Sequence, residues 1–117
     1  MFGLTLSHRF YLYTSATDMR KSFDSLSGLI REHLDTNPAN GTVYIFVNKL
    51  KNKCKLLHWH SGGFVLYYKR LESGSFELPV YDGSVKSLSL TYSQLVLLID
   101  GISITHIDRK KRYKKVL

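Results

Sequence analysis

Apolar and polar positions alternate along this chain with a period that changes several times, and each change marks an element. Residues 9–13, Arg-Phe-Tyr-Leu-Tyr, are aromatic and β-favouring and predict a short strand. Over residues 18–35 the apolar positions Met19, Phe23, Leu26, Leu29, Ile30 and Leu34 recur at three- and four-residue spacing, one stripe along a helix. Thr17 or Asp18 stands where a cap would start it, and Thr36-Asn37-Pro38 stops it. Asn40-Gly41 is a turn signal. Residues 42–47 then read as a strand, with Val43, Ile45 and Val47 on one face and Tyr44 and Phe46 on the other. Further strands are expected over residues 54–60, 64–71 and 75–79, with breaks at 48–53, 61–63 and 73–74. Residues 81–90 read mostly as loop. Thr91 and Gln94 have capping-box spacing, Leu95, Leu98, Ile99 and Ile102 follow at helical spacing, and Gly101 marks an end.

Connections this short favour an antiparallel meander. The expected fold is α+β: about four or five antiparallel strands packed with two helices, in a single domain over residues 1–108, followed by a basic and mobile tail over 109–117. Several strands are apolar on both faces, so one side of the sheet should be covered and the other partly so.

Composition narrows the function classes. At 117 residues the chain suits one domain. The single cysteine, Cys54, cannot form an intramolecular disulfide, which makes a reducing cytoplasm the natural compartment. The start of the chain lacks the basic-then-apolar pattern of a leader, and its longest apolar stretch, residues 95–99, is far shorter than the ~20 residues that cross a bilayer. No membrane association is expected.

The net charge of +8 changes the picture more by its placement than by its size. Residues 1–48 balance four basic against four acidic side chains. Residues 49–70 carry Lys49, Lys51, Lys53, Lys55, Lys69 and Arg70 with no acid, and the tail adds Arg109, Lys110, Lys111, Arg112, Lys114 and Lys115. The intervening stretch is acidic. Two positive blocks on a neutral-to-acidic body suit a polyanion. In the tail, Tyr113 is a candidate for stacking on a base; the competing reading is a solvated terminus that aids solubility.

Three stretches, in order, resemble a known family. They are Thr17-Asp18-Met19-Arg20-Lys21-Ser22-Phe23-Asp24; then Lys55-Leu56-Leu57, Trp59, Gly63, Leu66 and Tyr68-Lys69-Arg70-Leu71-Glu72-Ser73-Gly74-Ser75-Phe76 with Pro79; then Leu90, Gln94-Leu95, Leu97-Leu98 and Gly101-Ile102. This set resembles the small accessory protein, often called TnpB or the second open-reading-frame product, of insertion-sequence family sixty-six. His60 stands where that family usually has an acid, and Leu78 where it usually has an aromatic residue. The resemblance implies a non-catalytic role in transposition, beside a separate and larger transposase, with element DNA and that transposase as partners and no cofactor.

Individual sites carry competing readings. Lys69 or Arg70 could contact phosphate, aided by Lys55 on the adjacent strand; equally, Arg70 and Glu72 could form a surface ion pair beside a turn. Arg20 and Lys21 could form a partner-binding corner, while Arg20 and Asp24 have the spacing of a routine helical pair. His58-Trp59-His60 puts two imidazoles on one strand face, as in metal-dependent single-strand nucleases of the His-hydrophobe-His type, with Tyr92 as the nucleophile and Cys54 on the same face as a possible soft ligand. That enzyme, and a pure protein-interaction adaptor, are the alternatives to a DNA-binding module. No acidic triad, phosphate loop or serine nucleophile is readable. The strand aromatics Tyr44, Phe46, Trp59, Phe64, Tyr67, Tyr68 and Phe76 are expected in the core.

Overall fold

The computed structural model describes Leu4 and residues 8–100. The elements are β1 (Phe10–Tyr13), α1 (Phe23–His33), β2 (Val43–Val47), β3 (Lys53–His60), β4 (Gly63–Arg70), β5 (Ser87–Leu90) and α2 (Tyr92–Ile99). The five strands form one sheet in the order β4-β3-β2-β1-β5. The fold is α+β and mostly antiparallel. It departs from a plain meander at one point: β1 and β2 are parallel, with Phe10 opposite Val43 and Leu12 opposite Ile45. A parallel pair needs a crossover long enough to return the chain to the same end of the sheet, and α1 is that crossover. Strands β2, β3 and β4 then form the meander proper, and β5 closes the far edge antiparallel to β1.

One helix covers each face. On one side Leu26 and Ile30 of α1 pack on Tyr13, Tyr44, Phe46 and Leu57. On the other, Leu95, Leu98 and Ile99 of α2 pack on Phe10, Leu12, Val43, Ile45, Val47, Cys54 and Leu56. Cover is complete only at the centre of the sheet: every residue of β2 is buried, while the edge strand β4 leaves Val65 and Tyr67 exposed on the α2 side and Tyr68 on the α1 side. Each such leucine or isoleucine contributes roughly 1.5–3 kcal/mol by leaving water.

Several local differences have local causes. Helix α1 begins at Phe23 rather than at Asp18. The Asp18 carboxylate accepts the Arg20 backbone N–H at 2.9 Å, which holds residues 18–20 in a turn, and Ser22 is the cap, its N–H donating to Ser25 Oγ at 2.9 Å. Residues 75–79 form no strand; Phe76 plugs the core, its N–H donating to the Lys51 carbonyl at 2.6 Å, and Leu78 packs at the edge of the same cluster. Residues 87–90 are a strand where loop was expected, with Leu88 and Leu90 turned toward the α2 side. At α2 the capping box forms as expected: Gln94 N–H donates to Thr91 Oγ1 at 3.1 Å, and Thr91 N–H to Gln94 Oε1 at 2.8 Å. Gly101, Ile102, the boundary at residue 108 and the basic tail lie outside the described residues.

Candidate nucleic-acid interface

Three segments distant in sequence meet at one end of the sheet. The first is the turn over residues 16–20. The second is the β2–β3 loop, residues 48–53, and the third is the end of β4. Together they enclose an open groove of about 610 Å³ lined by Arg20, Lys49, Leu50, Lys53 and Tyr68, with Asp18 on its rim. Arg70 stands opposite Lys53 in the β3–β4 ladder, which adds a further cation beside it. Like charges directly opposite one another destabilise a ladder, and a bound anion would relieve that cost.

The walls of the groove are fastened. Asn48 holds the β2–β3 loop: its Oδ1 accepts the N–H groups of Asn52 and Lys53, both at 3.0 Å, and its Nδ2 donates to Asn52 Oδ1 at 2.7 Å. Lys51 at the turn takes a positive φ of 57°, a conformation that costs a side chain some strain and is kept by this surround. The first turn is tied to β2 by Thr17 N–H donating to the Val47 carbonyl at 2.9 Å.

Lys55 is the strongest of these ties. It is only 6% exposed, and its ammonium donates to the carbonyls of Met19 at 2.7 Å and Lys21 at 2.6 Å, lying 4.7 Å from the centre of the Tyr68 ring. A charge-assisted bond to a carbonyl is worth about 1.5–3 kcal/mol, so this lysine is committed to the fold. Lys69 is committed as well. It is on the opposite face of the sheet, opposite Cys54, and its Nζ donates to the Ile99 carbonyl at 2.7 Å, which favours the C-terminal end of α2. The expectation that Lys55 would assist Lys69 at one phosphate therefore does not match the geometry: the two ammoniums sit on different faces with carbonyls already in hand.

The other basic residues divide further. Lys49 and Lys51 are exposed and Lys53 half-exposed at the loop. Lys21 is half-buried, and its carbonyl serves Lys55. Arg70 Nη2 lies 3.3 Å from Glu72 Oε1, with both side chains largely in water, so the ion pair foreseen there forms. Arg20 does not pair with Asp24. Its Nε and Nη2 embrace the Asp18 carboxylate at 2.6–3.1 Å, while the side chain stays 92% exposed and Nη1 takes no partner among the described residues. The hydrogen bonds from Arg20 and its nearby charge hold Asp18 down at about 2, so it remains ionised at any ordinary pH. The six basic tail residues lie outside the described residues.

Tyr68 was expected in the core and is instead 51% exposed; Tyr67, at 37%, also lies at the surface. An alternation of Tyr and Lys in a strand is compatible with either location. What decides is that β4 is the sheet edge, where neither helix reaches every side chain.

A second cluster sits at the far end of β3. His58 and His60 share a face, their rings 5.7 Å apart, and His8 meets His58 edge-on at 4.7 Å. His8 was not foreseen, since fifty residues separate it from His58. Burial first, then His8 and His60, hold the His58 imidazole below the usual histidine range. Cys54, on the same face, is buried, and burial pushes its thiol up to about 12. Among the described residues no three potential ligands are placed to hold a metal ion. Tyr92 lies half-buried with its ring stacked on Phe10 at 5.9 Å, a packing role. Among the described residues, no helix is long and apolar enough to cross a membrane.

Comparison with known proteins adds the context. The family described as IS66 Orf2 like protein matches residues 8–109. The chain is 33% identical over 109 residues to protein y4hO of Sinorhizobium fredii, covering 92% of each chain. It is 31% identical over 119 residues to protein y4jC of the same organism, covering 99% of each. Both relatives are described as uncharacterized. No solved structure matches.

Proposed function

The chain belongs to the IS66 Orf2 like family, which gives it an accessory role in transposition, and from that premise we propose that it is a non-catalytic module that contacts the DNA of its element. One observation carries this reading: Arg20 from the turn over residues 16–20 and Lys49 and Lys53 from the β2–β3 loop converge on one open groove, with Arg70 of β4 beside it. Clustered exposed cations raise the local concentration of a polyanion and bind phosphates by releasing counterions. Such contacts carry no sequence information, so the binding is non-specific and salt-sensitive. The element's larger transposase is the expected protein partner, brought to DNA that this module has already engaged.

Titration of labelled duplex by fluorescence anisotropy at 50 and 200 mM salt tests the reading. With about three phosphates neutralised, affinity falls roughly 30- to 50-fold between the two salts. Neutralising Arg20, Lys49 and Lys53 together to Gln should remove most of the binding and flatten that dependence. An unchanged affinity in the triple variant would discard the groove as the DNA contact. Association with the transposase that survives nuclease treatment, without any DNA binding, would favour the adaptor.

A further inference from the structure

We infer that the groove takes an unpaired strand, with a base stacked on Tyr68. This rests on the proposed DNA contact and names the form of nucleic acid it prefers. Phosphate contacts alone explain the cations. They do not explain why an aromatic ring and a leucine line the same groove, Tyr68 at 51% exposure and Leu50 at 75%. Both are costly to leave in water, and each is flanked by charges that could hold a backbone: Leu50 lies between Lys49 and Lys51 in sequence, and Tyr68 lines the groove with Arg20 and Lys53.

The Tyr68 ring is also held still. The Lys55 ammonium lies over it at 4.7 Å and is itself fixed by two carbonyls, so the ring is clamped from the protein side while half of the residue stays open to the groove. A pre-positioned ring loses little freedom when a base settles on it. A volume of about 610 Å³ is ample for a nucleotide, and it is open along the surface, as a polymer requires. A duplex keeps its bases stacked on one another and offers this ring no π-face. A single strand, or a splayed end or junction, offers both the base and the phosphates. An acidic peptide would satisfy the cations and leave Tyr68 and Leu50 unused.

The test compares a labelled twelve-nucleotide single strand with a duplex of the same sequence on the full chain. The single strand should bind more tightly. Tyr68→Ala should weaken single-strand binding by about 10-fold and duplex binding by clearly less, so that the single-strand preference is lost, while Tyr68→Phe and Tyr68→Trp retain the preference. A 2-aminopurine in the strand should lose fluorescence on binding to the wild type and keep it with Tyr68→Ala. Equal binding of both forms, insensitive to Tyr68→Ala but lost when Arg20, Lys49 and Lys53 are neutralised, would overturn the stacking and leave the DNA contact standing. Displacement of the strand by a poly-glutamate peptide equally well from wild type and Tyr68→Ala would likewise overturn it. No binding of either form would remove both readings together.

Discussion

The two ends of β3 gather basic side chains in opposite ways. At its start, Lys53 stands with Lys49, Arg20 and Arg70 around an open groove, with Arg20 paired to Asp18 and Arg70 to Glu72 while the two lysines stay open to solvent. At its finish, His58 is 7% exposed, pressed between His8 and His60, and held by burial below the usual histidine range. One cluster lies open to a counter-ion. The other packs its imidazoles ring against ring. Lys55, two residues from Lys53 on the same face, shows a third arrangement: a buried ammonium whose environment is two carbonyls and a ring. Solvent access and the nearest carbonyl, rather than residue type, decide what a basic group does in this sheet.

The largest effect that would sharpen this contrast is expected at Lys55. Lys55→Met keeps the length and removes the donor, leaving the Met19 and Lys21 carbonyls short of a partner, and should cost about 2–3 kcal/mol in urea unfolding. Lys49→Met, in the open cluster, should stay within about 0.5 kcal/mol of wild type. Equal costs at the two positions would erase the distinction between committed and free lysines.

At the opposite end the sign follows from the direction of the shift. The folded His58 resists a proton that the unfolded chain accepts near its ordinary value of 6.5, so stability present above that value is lost as pH falls through the folded one. The urea midpoint should therefore be lower at pH 5.5 than at pH 7.5, and His58→Gln should shrink the difference. A variant with the wild-type pH dependence would place the source elsewhere.

The smallest effect is expected at the rim of the groove. Asp18 is ionised throughout the accessible pH range and occupies one edge of Arg20. Asp18→Asn removes a negative charge there and should tighten duplex binding by about 2- to 3-fold at 50 mM salt, fading at 300 mM as screening grows. Weaker binding in this variant would mean that Asp18 positions Arg20 rather than competing for it.

Much of the fold was legible beforehand. Strands β1 to β4 and the cap of α2 depend on neighbours within four residues, and their boundaries come out within one or two positions. The start of α1 was misplaced because Asp18 has two local uses, helix cap or turn, and the turn prevails through Arg20. Residues 87–90 alternate leucine with serine, a strand signal too short to stand out from loop until β1 supplies its partner. The candidate site was legible in its ingredients only. The lysines of residues 49–55 were visible as a block, but Tyr68 was read as core, and the roles of Asn48 and His8 were missed.

By itself the sequence determined where charge lies along the chain, most of its helices and strands, and the family to which the chain belongs. These follow from composition, short-range periodicity and ordered motifs, all of which survive in one dimension. Tertiary structure decided that β1 and β2 run parallel, that Lys55 and Lys69 turn inward on opposite faces, and that Arg20, Lys53 and Tyr68 share a groove. The physical reason is that side-chain direction in a sheet alternates with every residue, while the company each side chain keeps is set by strand order. Pairing partners thirty residues or more apart are fixed only when the whole core closes.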